Sequence, residues 1–343
     1  MAAPNILCNT KGMDRSAWLA CRAHGPDGSI PIALGGSDVA AIFGLSPWKT
    51  PLELWMEKKG LLVPDDSANA EQKEMGHLLE PIVAYWYGRR TGNTVLEDTN
   101  LYQHTDHPWA LANLDYRAEK HGTAGGLECK STTYHKAADW ADGAVPIYYE
   151  YQCRFYMAVM DLPWWDIACL WGNNPGTDMA IRTLEREMTT EEMILDKGAA
   201  FVQSIHDNTP PTMEDVEPRL ALKALARIYG NSIAGLPTIE FSPKYEWTIR
   251  RLAALQAEIA EIEQEKKRKE KEADAHAARI AQVIQEHEHG ILELASEKFR
   301  IDFVTRARQL PDVEKLKSIY GPGYKDVTKT SYSRKIRVVR EVI

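Results

Sequence analysis

The stretch Gly126-Leu127-Glu128-Cys129-Lys130 constrains this chain most. On a strand, successive side chains point to opposite faces, so Glu128 and Lys130 share one face while Leu127 and Cys129 pack on the other. Upstream, Leu111-Ala112-Asn113-Leu114-Asp115-Tyr116-Arg117 reads as a second strand, and the polar, glycine-rich link from Gly122 to Gly126 predicts a hairpin. That hairpin sets the Asp115 and Glu128 carboxylates on neighbouring strands. Hard oxygen donors in such a pair suit Mg²⁺ or Mn²⁺, and Lys130 can orient a water or stabilise charge. An ordinary surface hairpin with a Glu/Lys pair gives the same triplet, which is common on its own.

The surroundings change that weighting. Gly76 to Tyr87 has a helix-like apolar pattern that carries Glu80 just before Pro81, and Val145 to Tyr156 places Gln152 and Tyr156 four apart on one helical face. With Gly35-Gly36-Ser37-Asp38-Val39-Ala40-Ala41-Ile42-Phe43-Gly44-Leu45-Ser46-Pro47-Trp48 ahead of them, the order Glu, Asp, Glu-x-Lys, Gln-x-x-x-Tyr resembles the PD-(D/E)XK nucleases. Within them it resembles specifically the phage lambda-exonuclease-like, YqaJ-type viral recombinase family, over roughly residues 30 to 172. The resemblance implies that Asp115, Glu128 and the backbone carbonyl of Cys129 hold the metal, that Lys130 serves the attacking water, and that Glu80 completes the acidic cluster. It implies that Gln152 and Tyr156 brace the site, and that Gly36, Ser37 and Asn113 belong to a phosphate or DNA contact. Two departures stand out. Leu114 occupies the position of the proline in the family name, and Pro31-Ile32-Ala33-Leu34 stands where an arginine often precedes the Gly-Gly-Ser stretch. Lys49 is the candidate substitute for that arginine.

A chain of 343 residues with 44% hydrophobic residues can bury a substantial core in one large domain or two ordinary ones. It contains no apolar run of membrane-spanning length, and Met1 to Gly12 lacks the succession of a signal peptide. No membrane association is expected, and a cytoplasmic location follows: the host bacterial cytoplasm, if the chain is encoded by a phage or prophage. The five cysteines, Cys8, Cys21, Cys129, Cys153 and Cys169, never fall in a Cys-x-x-Cys spacing, so reduced and mostly buried thiols are expected rather than disulfides or a thiolate metal site. The net charge of -8 argues against indiscriminate nucleic-acid binding. Charge is segregated, however. Ile319 to Ile343 carries six basic residues against two acidic ones, a local balance of +4 that leaves -12 on the rest. A basic path on an acidic body and a solvated basic tail both give that count.

Along the chain, residues 1 to 30 offer one short helix near Ser16 to Ala23 and no assigned chemistry. A helix starts near Ser37 or Asp38, where the glycines allow either a plain capped start or a 5′-phosphate contact. Pro51 to Gly60 is an amphipathic helix, and Pro64 to Glu71 a polar link. His77, three residues before Glu80, either packs at the surface or approaches the metal. Trp164 to Trp171 alternates as a buried strand, most of its tryptophans assigned to packing rather than to base stacking. Thr189 to Asn208 is a capped helix. Tyr245 to Glu288, rich in Ala, Glu, Lys and Gln, is one long helix whose seam of Leu252, Leu255, Ile259 and Ile262 fades into the charged stretch Glu263 to Asp274. Strand-like segments Gly290 to Val304 and Tyr332 to Val342 flank Asp312 to Ile319.

The expected fold is therefore an α/β nuclease core, a central mixed sheet flanked by helices, over residues 1–242. A helical arm and a small α+β element follow over 243–343. The family implies a Mg²⁺-dependent exonuclease degrading linear double-stranded DNA from 5′ to 3′ and leaving 3′ overhangs. It further implies a homo-oligomer, a trimeric ring, that works with a single-strand annealing recombinase. The rivals are a RecB-like or restriction-like nuclease of other polarity or endonucleolytic action, and a non-catalytic DNA-binding or assembly protein.

Overall fold

The computed structural model describes residues 3–64, 70–214, 216–230, 235–311, 328–334 and 337–342, with side chains described up to residue 305. Two compact units divide the chain, Met1–Ala234 and Gly235–Ile343. The first unit opens with β1 (Asn5–Asn9), α1 (Arg15–His24), α2 (Gly36–Ile42), α3 (Pro51–Lys58) and α4 (Ala70–Thr91). Strands β2 (Thr94–Glu97), β3 (Asn100–Gln103), β4 (Leu111–Asn113), β5 (Tyr116–Lys120) and β6 (Thr123–Ser131) follow. Beyond a 3-10 segment at Tyr134–Gly143 come α5 (Ile147–Met160), β7 (Trp164–Leu170), β8 (Met179–Glu185), α6 (Met188–His206) and α7 (Pro218–Tyr229).

Five strands form the central sheet in the order β2-β5-β6-β7-β8. Neighbours are antiparallel except β6 and β7, which run parallel, so the expected mixed sheet is present. The parallel pair needs a crossover, and α5 supplies it. Alternation on β7 divides the core in two. Trp165, Ile167 and Cys169 pack with Phe155, Tyr156 and Met157 of α5 on one side. Trp164, Ala168 and Leu170 pack with Leu127 and Cys129 of β6 and with Val83, Ala84 and Tyr87 of α4 on the other. These tryptophans are core, as their alternation indicated. Each fully buried aliphatic side chain among them, such as Leu127 or Ile167, contributes roughly 1.5–3 kcal/mol. Gly126 is required by the same packing, because a Cβ there would stand 2.3 Å from the Trp165 ring.

The helix α4 is longer than its apolar pattern suggested and runs through Pro81. Its seat on the sheet is set by a buried polar contact. The Tyr87 hydroxyl donates to Asp166 Oδ2 at 2.6 Å, Thr183 donates to Asp166 Oδ1 at 2.5 Å, and Asn93 donates to the Tyr87 oxygen at 2.7 Å. Of the link Pro64 to Glu71, residues 65–69 lie outside the described residues. At α6 the cap is not the expected Thr189: the Glu191 carboxylate reaches back to the Glu187 N–H at 3.1 Å and also holds Arg186.

Three strand expectations need correction. The run Leu111 to Arg117 is not one strand but two, β4 pairing with β3 in a three-stranded sheet β1-β3-β4 and β5 pairing with β6. The chain changes sheets at Leu114-Asp115. Gly290 to Val304 is likewise a hairpin. In the second unit, α8 (Glu246–Ile284) leads into β9 (His289–Glu293) and β10 (Glu297–Asp302), followed by β11 (Thr305–Pro311), β12 (Thr328–Arg334) and β13 (Arg337–Val342). The sheet β13-β10-β9 and the pair β11-β12 are separate, so Tyr332 to Val342 is also divided between two sheets. The segment Asp312 to Ile319 between these strand-like runs lies outside the described residues, and so do Lys325, Asp326 and Lys335 and the side chains of the other basic residues near the C-terminus. The α8 helix is about 58 Å long at 1.5 Å per residue, and Ile284 is its buried residue. Among the described residues no helix is long and apolar enough to cross a membrane.

Candidate active site

A polar pocket of about 600 Å³ gathers residues from α1, α2, α4, β5, β6 and α5. Glu80, Asn113, Asp115, Glu128, Lys130, Gln152, Tyr156 and Ser37 all line it. A second groove of about 560 Å³, in the other unit, is lined mainly by apolar side chains of α8, β9 and β10 and offers no carboxylate, so it does not suit cation chemistry.

Glu128 is the centre of the pocket's polar contacts and is 1% exposed. Its Oε1 accepts from Lys130 Nζ at 2.5 Å and from the Gln152 carboxamide at 2.6 Å. Gln152 also donates to the Tyr156 hydroxyl at 3.3 Å, as one turn of α5 allows. Glu128 Oε2 is buried and has no hydrogen-bond partner among the described residues. A buried carboxylate oxygen in that state is costly unless something positive or hydrogen-donating meets it.

Asp115 owes its position to the break between β4 and β5. Its Oδ2 accepts the Cys129 backbone N–H at 2.9 Å, so the carboxylate is tied directly to the strand that carries Glu128 and Lys130. Glu80 approaches from α4, where its Oε1 meets His77 Nδ1 at 3.0 Å. His77 therefore does more than pack: it lines the pocket and partners Glu80.

Burial and carboxylate repulsion dominate the electrostatics. The Glu80 pKa is pushed up to about 8, by burial first and then by Asp115, against the pull of Lys130. The Glu128 pKa is pushed up to about 7 by burial and Asp115, again with Lys130 opposing. Burial works to lower the Lys130 pKa, but Glu128 and Asp115 outweigh it and hold the group well above the ordinary lysine value. Lys130 is thus an ammonium, with its charge also over the Tyr149 ring at 4.9 Å. Among the described residues, no three His, Cys, Asp or Glu side chains converge into a ready-made cation cage. The donor set nevertheless fits a hard divalent cation: carboxylates with raised pKa values, one of them with an orphaned buried oxygen, beside the Cys129 main chain.

Two residues expected to contact phosphate, Lys49 and Gly36, are not among those that line the pocket. Lys49 is not turned to the pocket, since its Nζ pairs with the buried carboxylate of Glu57 at 2.5 Å. Gly36 acts by close approach: a Cβ there would fall 2.7 Å from the Tyr156 ring and 2.9 Å from Gln152 Cγ, so this glycine lets α5 seat its site residues. The α2 start is closed by Asp38, which accepts the Gly35 N–H at 3.0 Å and pairs with Lys58 at 2.8 Å. Ser37 is left exposed at the pocket.

Sequence reasoning passed over α1. Arg22 lines the pocket with its guanidinium 4.5 Å over the Trp18 ring, and Trp18 Nε1 donates to Asn113 Oδ1 at 3.0 Å. An arginine therefore does stand beside the Gly-Gly-Ser stretch, separated from it in sequence by Gly25 to Leu34. That intervening segment is anchored where Leu34 exchanges backbone hydrogen bonds with Trp109 and Leu111, at 2.8 and 2.9 Å. Lys73 and Trp48 also line the pocket unforeseen.

Comparison with known proteins gives these residues a context. Residues 17–163 match the YqaJ-like viral recombinase domain family. The chain is 35% identical over 155 residues to the uncharacterized protein YqaJ of Bacillus subtilis (strain 168), a match covering 45% of each, so it spans about half the length of that relative. Two solved structures are similar at lower identity. A crystal structure of LHK-Exo in complex with dAMP matches at 19% identity and a TM-score of 0.47 over 57% of this chain and 94% of that one. One of an alkaline exonuclease (LHK-Exo) from Laribacter hongkongensis matches at 17% and 0.46 over 61% and 98%. The matched segment encloses every expected site residue from Gly36 to Tyr156, and over that segment the chain is similar to the YqaJ-like viral recombinase domain family.

Proposed function

We propose that this chain is a metal-dependent deoxyribonuclease, an exonuclease that degrades linear double-stranded DNA from its 5′ ends and leaves 3′ single strands for annealing-type recombination. The observation that carries the reading is the convergence of Glu80, Asp115, Glu128, Lys130, Gln152 and Tyr156 in one pocket that also holds Arg22 and Ser37. Carboxylates alone would repel a phosphodiester. The two kinds of group together suit a phosphate backbone delivered to a cation.

In this reading Asp115, Glu128 and the Cys129 carbonyl hold Mg²⁺, with Mn²⁺ as a substitute, and Glu80 supports a further water or ion. The cation, when bound, polarises the scissile phosphate and lowers the pKa of the attacking water. Lys130 keeps its proton and offsets charge building on the phosphate. Gln152 fixes the Glu128 carboxylate from one side and is itself oriented by Tyr156. Arg22, held over Trp18, and Ser37 receive the terminal 5′-phosphate, a role for which Arg22 replaces Lys49.

The chemistry is assigned to residues 1–242, with 243–343 as a separate arm and α+β element. A trimeric ring, an annealing partner protein and a site of action in the bacterial cytoplasm complete the proposal, on family grounds. End-labelled linear, nicked and covalently closed circular DNA with Mg²⁺ is the test. Loss of label from 5′-phosphorylated linear ends, with closed circles intact, supports the reading. Cutting of closed circles would favour the restriction-like alternative, and no cutting of any substrate would leave a DNA-binding protein.

A further inference from the structure

We propose that Trp48 is a stacking platform for a nucleobase at the DNA end, a contact that rests on the nuclease reading of the pocket it borders. Tryptophan is seldom left in water, yet Trp48 is 61% exposed. Its backbone is firmly held. The Ser46 hydroxyl, itself buried, accepts both the Trp48 and the Lys49 N–H at 3.2 Å, and the Thr50–Glu53 capping box fixes the next turn of chain. Around the ring, Tyr148 makes a T-shaped contact at 4.9 Å and Tyr149 a tilted one at 6.3 Å. Tyr149 in turn carries the Lys130 ammonium 4.9 Å over its own ring, so an aromatic chain links Trp48 to the lysine beside Glu128.

The lining of the pocket divides by chemistry. Arg22, Lys73 and Lys130 suit phosphates and the carboxylates suit a divalent cation, while Trp48 presents a flat ring with neither charge for a phosphate nor an oxygen ligand for a metal. A base has such a surface. Within a duplex both faces of each base are already stacked, so a face becomes available only on a terminal pair or on an unpaired nucleotide. Trp48 is thereby a reader of ends and frayed strands. A preorganised ring gives this contact at little entropic cost, since its loop is already ordered.

The test uses the full-length protein and duplexes in which one nucleotide near the end is replaced, position by position, by an abasic residue. Binding is measured by fluorescence anisotropy without divalent cation, and cleavage with Mg²⁺. Wild type should bind base-bearing ends about tenfold more tightly than the matching end that is abasic at the stacked position. Trp48→Ala should lose that discrimination and Trp48→Phe should keep most of it, with kcat on intact ends changed less than KM. Discrimination by Trp48→Ala equal to wild type, or its absence in wild type at every position, overturns the inference. A wild type that shows the binding pattern but cuts nothing overturns the nuclease reading instead.

Discussion

Lys130 Nζ and Glu128 Oε1 lie 2.5 Å apart on adjacent same-face positions of β6, and Glu128 Oε2, the other oxygen of the same carboxylate, has no hydrogen-bond partner among the described residues. The ammonium satisfies half of the carboxylate. A divalent cation on the other oxygen would complete it and would bring the raised carboxylate pKa values back down.

A pH dependence follows from that arrangement. With Glu128 and Glu80 as the proposed ligands, cation binding requires both to be ionised, and burial and repulsion from Asp115 push their pKa values up to about 7 and about 8. Apparent Mg²⁺ affinity, read from the Mg²⁺ dependence of the rate, should therefore rise from pH 6 to 8.5. The stability sign is opposite. A carboxyl whose pKa is raised on folding binds more protons in the native state, so metal-free stability should fall as pH rises from about 5 towards 8. Thermal melts in EDTA and in Mg²⁺ across that range would check both directions; equal melting shifts with Mg²⁺ at pH 6 and 8.5 would argue against these carboxylates as ligands.

Arg22→Ala should remove the preference for a phosphorylated 5′ end. The loss of one charge-assisted contact costs about 1.5–3 kcal/mol, roughly ten- to a hundredfold in KM on phosphorylated ends. Rates on 5′-hydroxyl ends should barely change. Lys49→Ala, by contrast, breaks the ion pair with Glu57 away from the pocket and should leave end preference untouched. Initial rates on paired phosphorylated and hydroxyl duplexes distinguish the two residues.

Gly126→Ala should destabilise the first unit by about 1–3 kcal/mol through overpacking against Trp165. Urea unfolding followed by tryptophan fluorescence measures this, and a midpoint equal to wild type would mean that the β6–β7 packing yields more easily than its spacing indicates.

Much of the central chemistry was legible because strand alternation and helix spacing are local. Glu128 and Lys130 had to share a face of β6, and Gln152 and Tyr156 had to share a face of α5. What was not legible depended on tertiary placement. The apolar run Leu111 to Arg117 carries no sign that Asp115 would leave the ladder to bond the Cys129 N–H. Arg22 was hidden by its distance in sequence from Ser37; the segment between them docks through Leu34 beside Trp109 and Leu111 and brings α1 to the site. For Lys49, charge alone does not say whether a lysine will face a carboxylate, as it does at Glu57, or a phosphate. The exposure of Trp48 has no local signature either, since the same residue type is buried at Trp164 and Trp165.

Glu128→Gln keeps the size of the side chain and removes the charge that would bind the cation. On a 5′-phosphorylated linear duplex, wild type should release acid-soluble nucleotides in Mg²⁺ and none in EDTA. Glu128→Gln should bind the same DNA, melt as a folded protein and lose activity by about a hundredfold or more. Full activity of folded Glu128→Gln in Mg²⁺ would contradict the assignment of this pocket as the site of cation-dependent cleavage.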